Sequence, residues 1–304
     1  MKKPLNEPKL TTRNTIVGLS FVAPNFIGFS IFVLAPVIYS LLLCFTRWNG
    51  SIATMKFVGL ENFIRVFKDT QFGRAMLLTV VYAVFVVALT TFAALGLAVL
   101  LNRQIKAKGF FRTAIFFPYV ASVVSIAVVW KLLFMAEPAG PINSLLKAIG
   151  IARPPEWFTS SRWALWGVII VSVWRGMGYY MIVYLAALQD IPRELKEAAS
   201  IDGATGLQYF WRIAFPHILP ATFFVVLMLT MGSFKSFDLI YALTEGGPGN
   251  ATSVISLYIY NNFMAFNSGS SIAVGKMSAA AMMLFLMVAA ITFFQFRMEK
   301  KLSA

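Results

Sequence analysis

The sequence predicts an all-α protein that crosses a membrane six times. Three observations carry this. The chain is 59% hydrophobic and only 12% charged, with a mean hydropathy of +0.76. A water-soluble domain averages about 45–50% apolar and about 25% charged residues. Six long runs are free, or nearly free, of charge. The lysines and arginines gather in the segments between alternate runs, as insertion with positive segments inside requires.

The six runs are Ile16–Phe45, Ala75–Leu101, Thr113–Trp130, Trp163–Leu188, Ile213–Ile240 and Ser271–Phe296. Each is long enough for a hydrocarbon layer of about 30 Å at about 1.5 Å per residue. The first follows a basic start, MKKPLNEPKLTTR, but exceeds the 7–15 apolar residues of a signal peptide. It reads as a retained helix, kinked by Pro24 or Pro36. With the N-terminus inside, the inner segments 1–13, 102–112, 190–212 and 297–304 hold 14 Lys and Arg in 55 positions. The outer segments 47–74, 131–162 and 241–270 hold 9 in 90. Both termini are therefore expected in the cytoplasm. The outer segment 131–162 carries four prolines and reads as turns, and 241–270 reads as a Gly- and Asn-rich loop.

The net charge of +14 is spread through these short segments, so no polar basic domain exists for nucleic acid. One cysteine, Cys44, and one histidine, His217, make neither a disulfide nor a metal cluster. No paired carboxylates or Ser/His constellation suggests an enzyme. No Walker A sequence is present. Gly275-Lys276-Met277 lacks both the Ser/Thr and the earlier glycine, where Ser270 stands. The chain is expected to bind no ATP and no cofactor of its own.

The inner segment ELKEAASIDGATGLQYFWRIAFPHILP, Glu194–Pro220, interrupts the apolar pattern. Asp190 stands ready to cap a helix that starts at Pro192. Ala198 and Ala199 would let another surface approach closely. Asp202-Gly203 marks a bend. Two short helices at an angle are predicted, one face small and acidic, the other aromatic. An amphipathic connector at the membrane surface fits these residues equally well.

Charged residues within the runs are few. Arg175 lies about 22 Å from Asp190 along a helix and so deep in its span. It either bonds backbone or faces a translocation cavity. Lys235 and Lys276 lie near the outer surface and are expected to snorkel, with Asp238 placed to pair with Lys235.

Glu197-Ala198-Ala199, Gly203, Ile213 and Pro216 keep the spacing E-A-A, three residues, G, nine residues, I-x-x-P. This resembles the EAA loop of binding-protein-dependent ABC importer permeases, with Phe215 where Leu is usual before the proline. LTEGGPGNAT, Leu243–Thr252, and FKSFDLIYALT, Phe234–Thr244, resemble the L-T-x-G-G-P-x-x-x-T region of the carbohydrate group, of the maltose and glycerol-3-phosphate type. The resemblance covers about residues 70–297 of a single 304-residue permease domain.

It implies a type I importer fold in a bacterial inner membrane, with 190–216 as a cytoplasmic coupling helix. Glu197, Ala198, Ala199, Asp202, Gly203 and Ala204 would meet an ATPase subunit. The implied partners are a second permease subunit, two ATP-binding subunits that hold ATP and Mg, and an extracytoplasmic solute-binding protein. The implied cargo is a sugar or oligosaccharide. Sugar sites favour aromatic faces with a few polar groups, which nominates Trp174, Arg175, Tyr179, Tyr180, Tyr184, Gly232, Ser233, Phe234, Asn261 and Asn262 for the pathway. Aromatic belts and helix packing fit the same aromatics, and Gly232 and Ser233 would equally admit a close helix. An ATP-independent sugar transporter is the rival reading, and a scaffolding membrane protein a third.

Overall fold

A computed structural model describes residues 12–48, 55–103, 105–136, 140–267 and 274–302. The described chain is mostly helical. Thr15–Leu43, Thr70–Leu101, Ala164–Gln189 and Val274–Lys300 are helices long and apolar enough to cross a membrane. Two further pairs would cross only as bent spans.

The first helix runs as α1, Thr12–Phe29, a wide π-helical turn, Ser30–Leu34, and α2, Ala35–Leu43. The expected disturbance at Pro36 takes this form. The wider turn ends beside the proline, which has no N–H to give the ladder. Phe21 and Phe32 are four-fifths exposed, and it is chiefly α2 that packs on the rest of the chain. A two-stranded ribbon, Thr46–Arg47 with Lys56–Phe57, leads to α3, Glu61–Phe67.

The centre of the fold is the pair α4, Thr70–Leu101, and α8, Ala164–Gln189. Buried positions on α4 recur every three or four residues, at Ala75, Thr79, Ala83, Val86, Thr90, Ala94 and Ala98. Six of these are Ala or Thr. Small side chains let two helices approach closely where lipid supplies no hydrophobic drive between them. Two core clusters lie along this seam. One gathers Ala94, Met181, Tyr184, Leu188, Ile218 and Val225 near the Gln189 end of α8. The other gathers Tyr82, Val168, Val171, Leu239, Ile240 and Leu257.

Two of the six predicted runs are not straight spans. Thr113–Trp130 is α5, Lys108–Val120, and α6, Val123–Leu133, which meet at 101°. Pro118 weakens the last turn of α5, and Ala121 and Ser122 leave helical geometry with ψ of 150° and 132°. Ile213–Ile240 is also divided. Its helical part, α12, spans Leu219–Phe234 and bends by 67° from the preceding Gly206–His217 segment. It stops at Phe234, and a new helix, α13, begins at Asp238. Lys235 and Asp238 therefore do not share a helix face, and among the described residues no ion pair joins them.

The predicted loops hold more structure than their composition suggested. Segment 131–162 contains α7, Pro141–Ala148. Segment 241–270 closes α13, Asp238–Thr244, and then forms α14, Ile255–Asn267; residues 268–270 lie outside the described residues. The Gly-rich turn between them is closed by its own threonines. Thr244 Oγ1 and Thr252 Oγ1 lie 2.6 Å apart, Thr252 donates to the Gly247 carbonyl and Thr244 to the Ile240 carbonyl. Two hydroxyl protons thus serve three contacts, and Thr252 is fully buried.

The last helix, α15, spans Val274–Leu302. Lys276 does not snorkel. Its Nζ lies 2.6 Å from Asp69, which also accepts from Tyr258 Oη at 2.7 Å and from the Gln71 N–H. One carboxylate thereby ties α15, α14 and the start of α4. Burial pushes the Asp69 pKa up, but these hydrogen bonds and the Lys276 charge outweigh it, and the carboxyl sits below its ordinary 3.8. The neighbouring Gly275 has a packing reason. A Cβ there would lie 2.0 Å from the Thr46 carbonyl oxygen and 2.7 Å from Asn62 Nδ2.

Candidate functional site

The interruption between the fourth and fifth runs forms two short helical segments at the Gln189 end of α8. The first is α9, Arg193–Ile201. Asp190 does not cap it; Asp190 closes α8, and α9 opens after Pro192 with no side-chain cap. The α9 C-terminus is closed by backbone alone. Gly203 takes φ +73°, its N–H bonds the Ser200 carbonyl at 3.2 Å, and the Ala204 N–H bonds the Ala199 carbonyl at 2.9 Å. This is a Schellman closure, which needs a left-handed residue at the position Gly203 occupies.

The second segment runs through α10, Gly206–Tyr209, a π-helical turn, Phe210–Ala214, and α11, Phe215–His217. A capping box opens it. Gln208 N–H donates to Thr205 Oγ1, and the Thr205 N–H donates to Gln208 Oε1. Thr205-Gly206-Leu207-Gln208 is the T-x-x-Q form of this box.

The predicted coupling residues divide. Glu197, Ala198, Asp202 and Gly203 are exposed, and Ala204 is half-exposed. Ala199 is buried in its own chain and offers no outer face. Apolar residues that composition did not single out stand in the open instead: Ile201 is 86% exposed, Leu207 70% and Trp211 56%. Beside them a groove of about 1060 Å³ is bordered by Arg103, Lys108, Arg193, Lys196 and Glu197.

The predicted pathway residues divide as well. Arg175, Tyr180, Gly232 and Ser233 line one pocket of about 310 Å³. Sequence reasoning missed Tyr82, Tyr119, Ser172 and Ser236 of this wall, because their grouping depends on the helix breaks. Trp174 packs on Trp130, and Tyr179 stacks on Tyr119 at 4.6 Å. Tyr184 and Phe234 are core residues, outside the pocket wall. Asn261 and Asn262 line a separate pocket of about 170 Å³ with Gln71, Arg74 and Tyr258.

The 310 Å³ pocket lies where both helix breaks converge. Tyr119 and Val123 flank the α5–α6 break; Lys235, Ser236 and Phe237 form the α12–α13 break. Non-helical backbone at membrane depth is stable only where it lines a cavity or is buried in protein. Tyr82 Oη pairs with Ser172 Oγ at 2.9 Å and Ser236 Oγ at 3.1 Å, so the wall has ordered hydroxyls. Gly232 leaves open space where a side chain would stand.

Comparison with known proteins agrees with this geometry. Residues 92–304 match the family described as binding-protein-dependent transport system inner membrane component. The lactose transport system permease protein LacF of Rhizobium radiobacter is 38% identical over 283 residues, 92% of each chain. The probable starch degradation products transport system permease protein AmyD of Thermoanaerobacterium thermosulfurigenes is 36% identical over 290 residues, 95% of this chain and 96% of that one. The fold matches a chain from the crystal structure of a bacterial alginate ABC transporter in complex with an alginate pentasaccharide-bound periplasmic protein. That match has a TM-score of 0.81 and 25% identity, and covers 95% of this chain and 96% of that one. Together, the helical bundle with its projecting loop and the match over residues 92–304 show that this chain belongs to the binding-protein-dependent inner membrane permeases of ABC importers.

Proposed function

We propose that this permease carries a sugar or oligosaccharide into the cell as one half of a heterodimeric pathway. A solute-binding protein delivers the cargo at the outer face. Two ATPase subunits hold ATP and Mg and drive the cycle through the loop 190–216. Both termini lie in the cytoplasm, as the Lys and Arg distribution requires. The carbohydrate class is supported by relatives whose names refer to lactose and starch degradation products, and by the alginate transporter.

The observation that carries the coupling role is the loop itself. A rigidly closed short helix, α9, projects at the end of the bundle, with Glu197 and Asp202 exposed and apolar Ile201, Leu207 and Trp211 uncovered. Such a surface, with the cations Arg103, Lys108, Arg193 and Lys196 beside it, suits a partner that carries apolar patches and charges of both signs. A rigid α9 turned by that partner would move α8 and α12, two helices that line the pocket.

The test is Gly203→Asp in the whole importer reconstituted into vesicles. At φ +73° any side chain is strained, but Asp tolerates the left-handed backbone better than most residues and nothing crowds its Cβ, so insertion should be kept with a loss of stability of about 1 kcal/mol. ATP-driven sugar uptake should be lost, with ATPase activity uncoupled or the ATPase subunits not retained. Undiminished uptake would remove the coupling role. Uptake driven by an ion gradient without any ATPase would favour the secondary transporter.

A further inference from the structure

The pocket at the two helix breaks holds an incomplete charge arrangement. Arg175 stands about 16 Å from one end of α8 and about 21 Å from the other, so near mid-span. Its guanidinium has five N–H donors. One, on Nη2, reaches the Tyr119 carbonyl at 3.5 Å, the outer limit for a hydrogen bond. The Nε–H is buried with no acceptor at all. The remaining contact is the Tyr119 ring, 5.5 Å from the guanidinium carbon. Among the described residues, no carboxylate forms an ion pair with Arg175.

A second cation, Lys235, borders the same pocket, and among the described residues it too has no ion pair. Asp238 is the single carboxylate of the wall. The lining therefore keeps one net positive charge. A charged side chain at membrane depth is costly unless a partner meets it, so such residues mark ligand or ion pathways. Here the protein leaves the partner out, and it leaves space for one: Gly232 on the facing helix presents no side chain.

We propose that the pocket receives a carbohydrate bearing an anionic group, carboxylate or phosphate, with Arg175 as its principal counter-charge. Lys235 adds a weaker second attraction. Tyr180 lines the pocket and offers aromatic surface to the sugar, and the Tyr82–Ser172–Ser236 hydroxyls bond its neutral oxygens. The inference rests on the carbohydrate importer reading and adds the charge of the cargo.

The experiment uses the complete importer in proteoliposomes with its binding protein at saturation. ATP-driven uptake is measured for a neutral disaccharide, the same disaccharide with a terminal uronate, and its 6-phosphate. Wild type should favour one or both anionic probes, and the two arms separate carboxylate from phosphate. Arg175→Gln should lower the anionic-to-neutral uptake ratio about tenfold or more, the loss of one charge-assisted contact. Arg175→Lys should restore much of the ratio, and Lys235→Gln should lower it less. Equal losses for all probes in Arg175→Gln would mean a structural role and overturn the proposal. A wild type that carries only the neutral probe would overturn it while leaving the importer reading intact. ATP-driven uptake of no saccharide would overturn both.

Discussion

The two ends of the bundle satisfy their polar groups on opposite terms. At the end built from Thr244–Thr252, Asp69, Lys276 and Gly275, side chains close on one another. The threonines share two protons among three contacts, and one carboxylate takes Lys276, Tyr258 and the Gln71 N–H. Asn62, itself buried, donates to the Cys44 and Thr46 carbonyls at 2.9 and 2.8 Å. At the other end, α9 and α10 close only their own backbones, by a Schellman turn and a capping box. Apart from buried Ala199, most of their side chains face outward, Glu197, Ile201, Asp202 and Leu207 among them. Two signatures of equal prominence in the sequence thus do different work. The Gly- and Thr-rich one specifies its own fold; the Glu- and Ala-rich one specifies a surface.

The strongest way to break this contrast is Gly275→Ala. An added Cβ would fall 2.0 Å from a carbonyl oxygen and 2.8 Å from the Leu43 carbonyl, both backbone atoms that cannot swing aside. Overpacking of this kind costs about 3 kcal/mol or more. Thermal unfolding in detergent should show a large fall in Tm, or the variant should fail to accumulate in the membrane. A Tm unchanged from wild type would mean that α15 and the Thr46 turn do not meet this closely.

Thr252→Val should have the next largest effect. Valine keeps the volume and removes the hydroxyl, leaving the half-buried Gly247 carbonyl without that donor. The expected cost is about 1–3 kcal/mol, read as a lower Tm with uptake falling only as far as stability does. Thr244→Val should cost less, because Thr252 keeps its bond to Gly247.

Much of this contrast was legible in the sequence, and the physical reason is short-range. Charge-poor runs, the Gly203 bend and the Gly246–Gly249 turn depend on residues within a few positions of one another. What was not legible depends on pairs far apart in the chain. Lys276 read as a snorkelling lysine because Asp69 lies 207 positions earlier. Trp174 and Tyr184 read as pathway aromatics because nothing local says which face of α8 meets another helix. The pocket itself needed two helix breaks. Pro118 hinted at the first, but no proline stands between Phe234 and Asp238, so the second had no local signal. Ala199 was misplaced for a related reason: a small residue suits an inner face and an outer one alike.

Asp69 tests the closed end by pH. Its folded pKa is lowered below the ordinary 3.8, so the unfolded chain binds the proton more tightly. The stabilisation is therefore fully present above about pH 3.8 and is lost as pH falls through the folded value. Wild-type Tm should drop more steeply below that pH than the Tm of Asp69→Asn, and the two curves should approach each other in acid. Raised salt should narrow the gap at neutral pH, since about a fifth of each partner remains exposed. Parallel curves would show that the carboxylate does not hold the three helices together.

The smallest effect on stability belongs to the open end, and it separates the two ends most cleanly. Ile201 and Leu207 are 86% and 70% exposed, so replacing both with Ser removes almost no buried area. Surface substitutions of this kind stay within about 0.5 kcal/mol, and a less apolar surface should, if anything, improve solubility. Tm of the isolated permease should therefore match wild type. Retention of the ATPase subunits on purification should fall about tenfold or more, because burying an Ile or Leu side chain against a partner contributes about 1.5–3 kcal/mol. The same double change would be silent in both measurements if the loop were only a connector at the membrane surface. A large fall in Tm with ATPase retention unchanged would reverse the comparison, making α9 and α10 part of the closed structure rather than its open face.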